Sequence, residues 1–152
     1  MTRDDVIAAL GPVLDLVKTI DPSDPEAVAK LQAALPVSEL AAVKALVRQA
    51  VEDKVICERE NGAIRWSRVA KDVDGFSIDA VHMSSPGPGH THPNGEIDLC
   101  FAVEGDPRFD GQPEGWTVYP PGSWHVPTVS GGVMDILYFL PGGAIRFEAK
   151  PA

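Results

Sequence analysis

Basic residues are scarce in this chain: 13 Lys and Arg stand against 22 Asp and Glu, a formal charge of -9 over 152 residues. Nucleic-acid binders neutralise phosphates with a positive patch, and proteins on anionic membranes need the same sign of charge, so neither partner is expected. Cysteine is scarcer still. Cys57 and Cys100 are the only two, too few for a disulfide framework in a chain of this size, and both thiols are expected to stay reduced. Long apolar runs are missing as well, since none approaches the roughly 20 residues that span a bilayer. The start, Met1-Thr2-Arg3-Asp4-Asp5, carries acid where a secretory leader carries cations and then an apolar core. A cytoplasmic protein is the expectation. No Gly-rich dinucleotide motif follows a strand-like segment, which argues against a nicotinamide or flavin cofactor.

What remains is an ordinary globular composition, 44% hydrophobic and 23% charged, and a change of character near residue 55. Before it the period is helical. Val6, Leu10, Val13, Val17 and Ile20 form one apolar stripe that Gly11-Pro12 must kink or divide. Asp24 and Pro25 suit the start of a second helix that Pro36 stops, and Ser38 suits the cap of a third whose inner face is Leu40, Val43, Leu46, Val47 and Val51. About three N-terminal helices are therefore expected over residues 1–54, covering a sheet or joining two subunits. A homodimer is the expected assembly, because cyclic pairs are the commonest one.

Residues 55–152 read as short strands separated by Gly, Pro and Asp, the mark of a β-sandwich or barrel. Expected strands are 64–69, 76–84, 97–103, 115–119, a short piece at 125–129, 133–140 and 144–148. Alternation puts Phe76, Ile78, Ala80 and His82 on one face of their strand, and Glu96, Asp98, Cys100 and Ala102 on one face of theirs.

Three of the four histidines lie between Gly89 and His125. On an extended strand His90 and His92 point the same way, and Glu96 can join them after a short turn. Imidazole nitrogens and a carboxylate are ligands for zinc, iron, manganese or nickel, so His90, His92, Glu96 and His125 are the candidate ligands of one divalent transition metal ion. If Glu96 faces a barrel interior, Asp98 follows it inward, where desolvation and a nearby cation pull its pKa in opposite directions. Asp98 is then a candidate catalytic acid or base, or a second partner of a ligating histidine. His82, one strand earlier, is a further candidate acid or base if it shares that interior.

His90-Thr91-His92, three residues, Glu96, and later Pro120-Pro121-Gly122, two residues and His125 resemble the two-part signature of the cupin superfamily. That resemblance implies a double-sheet β-barrel (jelly roll) holding these four residues as metal ligands. More narrowly, the helical preface, Gly-His-Thr-His-Pro-Asn-Gly-Glu-Ile-Asp, the segment from Pro113 to Val129 and Leu-Tyr-Phe-Leu-Pro-Gly-Gly-Ala-Ile near the end resemble the 4-hydroxylaminobenzoate lyase family. The resemblance implies a metal-dependent lyase that turns 4-hydroxylaminobenzoate, a small aromatic substrate, into 3,4-dihydroxybenzoate and ammonia. For that substrate Trp116, Tyr119, Trp124, Tyr138 and Phe139 are candidates to stack on the ring. Arg65, Arg68, Arg108 and Arg146 are candidates to grip its carboxylate. Two rival readings are a non-enzymatic metal-dependent sensor of small molecules and an iron-dependent oxygenase.

Overall fold

In a computed structural model that describes residues 1–151, the helices come first: α1 Arg3–Ala9, α2 Gly11–Val17, α3 Ala27–Ala34 and α4 Ala41–Glu52. There are four rather than three because the first stripe divides where expected. Leu10 closes α1 and opens α2, and Pro12, which has no N–H to donate, falls in the first turn where none is needed. Thr2 and Asp5 fix the start of α1 by a reciprocal capping box. Ser38 does not cap α4. It falls inside a 3-10 turn, Val37–Glu39, and the buried Leu40 takes the cap position instead.

The strands are β1 Arg59–Asn61, β2 Ile64–Val73, β3 Phe76–Met83, β4 His90–His92, β5 Glu96–Phe109, β6 Gly115–Tyr119, β7 Ser123–His125, β8 Val129–Pro141 and β9 Arg146–Phe147. Most expected strands find counterparts, though β5 and β8 run longer and β1 is unannounced by its exposed Arg-Glu-Asn sequence; the piece expected at 125–129 lies earlier, at 123–125, and residues 126–128 are not a strand. Every pairing is antiparallel. One sheet has the order β1-β2-β3-β8-β5-β6 and the other β7-β4-β9. The two face each other without hydrogen bonding into one closed barrel. The β5–β8 pairing bulges where Gly105 meets Gly132, and a Cβ on Gly132 would lie 2.0 Å from the Glu104 carbonyl, so only glycine permits the approach.

Cross-strand register sorts the large sheet into two faces. Ile78, Ala80, Ile97, Leu99, Phe101, Leu137 and Phe139 turn outward and form one hydrophobic cluster with Val6, Leu10, Val13, Val17, Leu31, Val47 and Val51 of the helices. Helices and sheet thus share a core, at about 1.5–3 kcal/mol for each large side chain withdrawn from water. Trp116 fastens α3 to β6 by donating its indole N–H to the Leu35 carbonyl at 2.8 Å. The opposite face carries Glu96, Asp98, Cys100, Ile136, Tyr138 and Leu140 toward the small sheet. Both cysteines are buried and unbonded, one on each side of the sheet. Among the described residues no helix is long and apolar enough to cross a membrane.

Candidate metal centre

His90 and His92 share a face of β4, and β7 lies beside it in a register that sets His125 opposite His90. The chain then reverses at Gly95, whose φ of +89° and contact with Pro22 leave no room for a side chain. That turn delivers Glu96 as the first residue of β5, facing the imidazoles across the gap between the sheets. His90, His92 and Glu96 are buried, and one ligand atom from each of these and from His125 lies within 4.8 Å of all the others.

The fit to a metal ion can be tested on the distances. Nε2 of His90 and of His92 are each 3.3 Å from a Glu96 oxygen, Nε2 of His125 is 3.6 Å away, and His90 and His125 bring their Nε2 atoms to 3.1 Å. Ligand atoms about 2.1 Å from a common ion stand about 3.0 Å apart at right angles and about 3.4 Å apart at tetrahedral angles, so these spacings suit a shared ion. His92 Nε2 and both Glu96 oxygens are buried without a hydrogen-bond partner. Orphaned buried groups are costly, and a cation at their focus would satisfy all of them.

The outer ring nitrogens fix which atom each imidazole presents. His125 Nδ1 donates to Asp110 Oδ2 at 2.6 Å, and Asp110 also accepts from the Tyr119 hydroxyl and from the Thr128 N–H at 2.8 Å. Ser123 Oγ gives its proton to the Pro120 carbonyl at 2.7 Å, so it accepts from His92 Nδ1 at 2.9 Å. His90 Nδ1 faces the Pro88 carbonyl at 3.4 Å. Each Nε2 is left with its lone pair toward the centre, the arrangement by which outer partners orient metal ligands. Tyr119 also stacks on His92, ring centroids 5.2 Å apart.

The carboxyls titrate as a group. Burial alone would raise Glu96, but the imidazoles of His125, His90 and His92 close around it outweigh that and hold Glu96 well below the usual range. Asp98 goes the other way, pushed well above its ordinary value by burial and then by the Glu96 charge. It is fully buried, and neither of its oxygens has a hydrogen-bond partner.

Other candidates from the sequence are placed elsewhere. His82 turns to the helical face of the sheet, where its Nδ1 lies 2.7 Å from Asp135 and Arg48 of α4 meets the same carboxylate at 3.1 Å. Alternation correctly grouped His82 with Ile78 and Ala80, and that face is the one packed against helices. Trp116 and Phe139 belong to the helical-face core, and Trp124 donates to the Glu148 carbonyl on the outside of the small sheet. Arg65 reaches the Val51 carbonyl under α4, while Arg108 and Arg146 are exposed. Arg68 alone of the four arginines is bound to a residue that faces the site, Asp79.

Beside the imidazoles a cavity of about 380 Å³ opens, with His90, Tyr138 and Asp79 on its walls along with Ile64, Val81 and Met83. Its aromatic walls are Trp66, 39% exposed, and Phe147, 65% exposed and edge-on to His90 at 5.6 Å. Sequence reasoning passed over Asp79, Asp110, Trp66 and Phe147, which lie outside the metal-ligand spacing. The one available signal was the alternation that puts Asp79 and Val81 opposite His82. The volume and apolar lining suit a small aromatic molecule.

The chain matches known proteins over most of its length. Residues 17–147 match the family model described as PnbB, 4-hydroxylaminobenzoate lyase. A 4-hydroxylaminobenzoate lyase of Nocardioides sp. (strain LMS-CY) is 33% identical over 122 residues, 72% of this chain and 72% of the relative. A protein of the same name from Pseudomonas putida is 34% identical over 89 residues, 48% of this chain and 51% of its own. Among solved structures, a conserved protein with a double-stranded β-helix domain from Klebsiella pneumoniae is similar with a TM-score of 0.46 and 18% identity, over 64% of this chain and 94% of that one. A cupin-2 domain protein from Shewanella frigidimarina gives 0.41 and 18%, over 60% and 91%. The chain belongs to the 4-hydroxylaminobenzoate lyase family.

Proposed function

We propose that this protein is a metal-dependent lyase that converts 4-hydroxylaminobenzoate, or a related aryl hydroxylamine, to the 3,4-dihydroxy arene and ammonia, and that its two facing sheets are a cupin-like jelly roll. The observation that carries the reading is the opening of a three-histidine, one-glutamate cluster at His90 onto an apolar, aromatic-walled cavity. The reaction consumes one water and involves no net electron transfer, which accords with the lack of a dinucleotide motif.

His90, His92, Glu96 and His125 would hold a divalent metal, which when bound would supply Lewis acidity beside the substrate. The protein's own groups do the rest. Trp66 and Phe147 flank the aromatic ring, and Ile64, Val81 and Met83 keep bulk water from it. Asp98 acts through Glu96, its neighbour on the inward face of β5, where burial and the Glu96 charge favour its neutral form. Asp110, Ser123 and the Pro88 carbonyl aim the three imidazoles.

The test is product analysis. Metal-loaded protein given 4-hydroxylaminobenzoate should release ammonia and the catechol in equal amounts, and a His92→Ala variant should give only the buffer rate. Wild type that also gives only the buffer rate overturns the reading, and oxygen uptake without ammonia points to an oxygenase instead.

A further inference from the structure

The lyase reading leaves open which side chain moves protons next to the substrate. Asp98 is sealed from the cavity, and His82 lies on the far face of the sheet. The titratable groups on the cavity wall are His90, already a ligand, Tyr138 and Asp79. Asp79 is paired in register with Tyr138, and Tyr138 with Asp98, so the three form one row across the inner face. Arg68, directly across on β2, donates Nε to Oδ1 at 2.8 Å and Nη2 to Oδ2 at 3.3 Å. This two-point grip fixes the plane of the carboxylate and leaves each oxygen with a lone pair for a second partner. With its side chain 18% exposed, Asp79 is reachable from the cavity yet mostly withdrawn from water. Burial raises its pKa and the Glu96 charge adds to that, while Arg68 works against both. A carboxylate so placed is a stronger base than one in water.

We propose that Asp79 is the catalytic carboxylate of the cavity, passing a proton from the water that attacks the ring to the hydroxyl that leaves nitrogen. This rests on the aryl-hydroxylamine reading. The water oxygen bonds to the ring carbon ortho to nitrogen, and its proton moves to Asp79. The N–O bond breaks with its electron pair going to oxygen, and Asp79 gives the proton to that oxygen, which departs as water. The ring is left as a hydroxy-dienimine isomeric with the substrate. Addition of one water to its C=N bond expels ammonia, and transfer of the ring proton to the new carbonyl oxygen gives the catechol. Electrons balance within the substrate, so no oxidant or reductant is required. Arg68 is a positioning residue in this scheme.

The experiment compares metal-loaded wild type with Asp79→Asn, Asp79→Gly and Arg68→Gln. Asp79→Asn should lose about 10²- to 10⁴-fold in kcat while its metal content, melting temperature and affinity for the unreactive 4-aminobenzoate are retained. Added formate should restore turnover to Asp79→Gly in proportion to its concentration, a response that a purely structural ion pair would not give, and Arg68→Gln should lose less than Asp79→Asn. An Asp79→Asn enzyme that runs close to the wild-type rate, or an Asp79→Gly enzyme indifferent to formate, overturns the proposal while leaving the lyase reading standing. A fully loaded wild type that releases no ammonia from any aryl hydroxylamine sinks the lyase reading itself, and this proposal with it.

Discussion

Asp110→Asn tests whether the outer contacts set the affinity of the metal centre. Asp110 accepts from three donors: His125 Nδ1 at 2.6 Å and the Tyr119 hydroxyl on one oxygen, and the Thr128 N–H at 2.8 Å on the other. Asparagine keeps the shape but offers a single carbonyl oxygen. If that oxygen turns to His125, the amide NH₂ confronts the Thr128 N–H; if it turns to Thr128, His125 loses its acceptor. One half-buried donor is stranded either way, at about 1–3 kcal/mol, and the imidazole loses its anionic partner. Asparagine also tolerates the left-handed backbone of Asp110, φ 49°, better than alanine, so the substitution isolates the side chain from backbone strain. The expected loss is about 10- to 100-fold in metal affinity, the usual effect of removing an outer-sphere carboxylate, or about 1.4–2.7 kcal/mol. Competition between the protein and a chelator for zinc reads this directly. An unchanged dissociation constant in a variant that folds normally would refute the claim that Asp110 tunes His125.

In the metal-free protein, burial depresses the His125 pKa, but the hydrogen bond to Asp110 and the nearby Glu96 carboxylate outweigh it and raise the value from 6.5 to about 9. A raised folded-state pKa contributes stability that is full below 6.5 and lost as pH rises through about 9. Urea melts of metal-free protein should therefore weaken across that window while metal-loaded protein weakens less; a metal-free protein that grows more stable there contradicts the assignment. Phe147→Ala, at a side chain 65% exposed, should leave the melting temperature nearly unchanged and raise KM for an aryl hydroxylamine by about 3- to 10-fold. A steady-state titration checks it, and an unchanged KM would remove Phe147 from the substrate site. Phe101→Ala, at a fully packed position between sheet and helices, should cost about 3–5 kcal/mol in denaturant melts. A cost below 1 kcal/mol, on the order of a surface change, would mean that the helices do not depend on that face.

The clustering of the candidate ligands was legible in large part because strand alternation, a tight turn and donor chemistry are local properties. His90 and His92 need only one strand and Glu96 one Gly95 turn, whereas His125 reaches them through the β4–β7 pairing and was signalled by the two-part motif. The inward row of Glu96, Asp98 and Cys100 followed from the same alternation. Alternation does not say which face meets the helices, however, and that ambiguity put His82 among the catalytic candidates when its face holds Asp135 and Arg48 beneath α4. Asp79 and Asp110 were invisible for a related reason. Each gains its meaning from a partner on another strand, Arg68 for one and His125 for the other, and register between strands is set by the folded sheets. Trp66 and Phe147 escaped notice because the pattern of a strand does not reveal which aromatics stay uncovered at a cavity wall.

The most direct test of the central claim is a metal titration of turnover. Protein stripped with a chelator and reloaded stepwise should release ammonia from 4-hydroxylaminobenzoate at a rate that rises linearly with bound metal and levels off at one ion per chain, with the catechol appearing in step. A rate independent of metal content, or fully loaded protein that releases no ammonia, would contradict it.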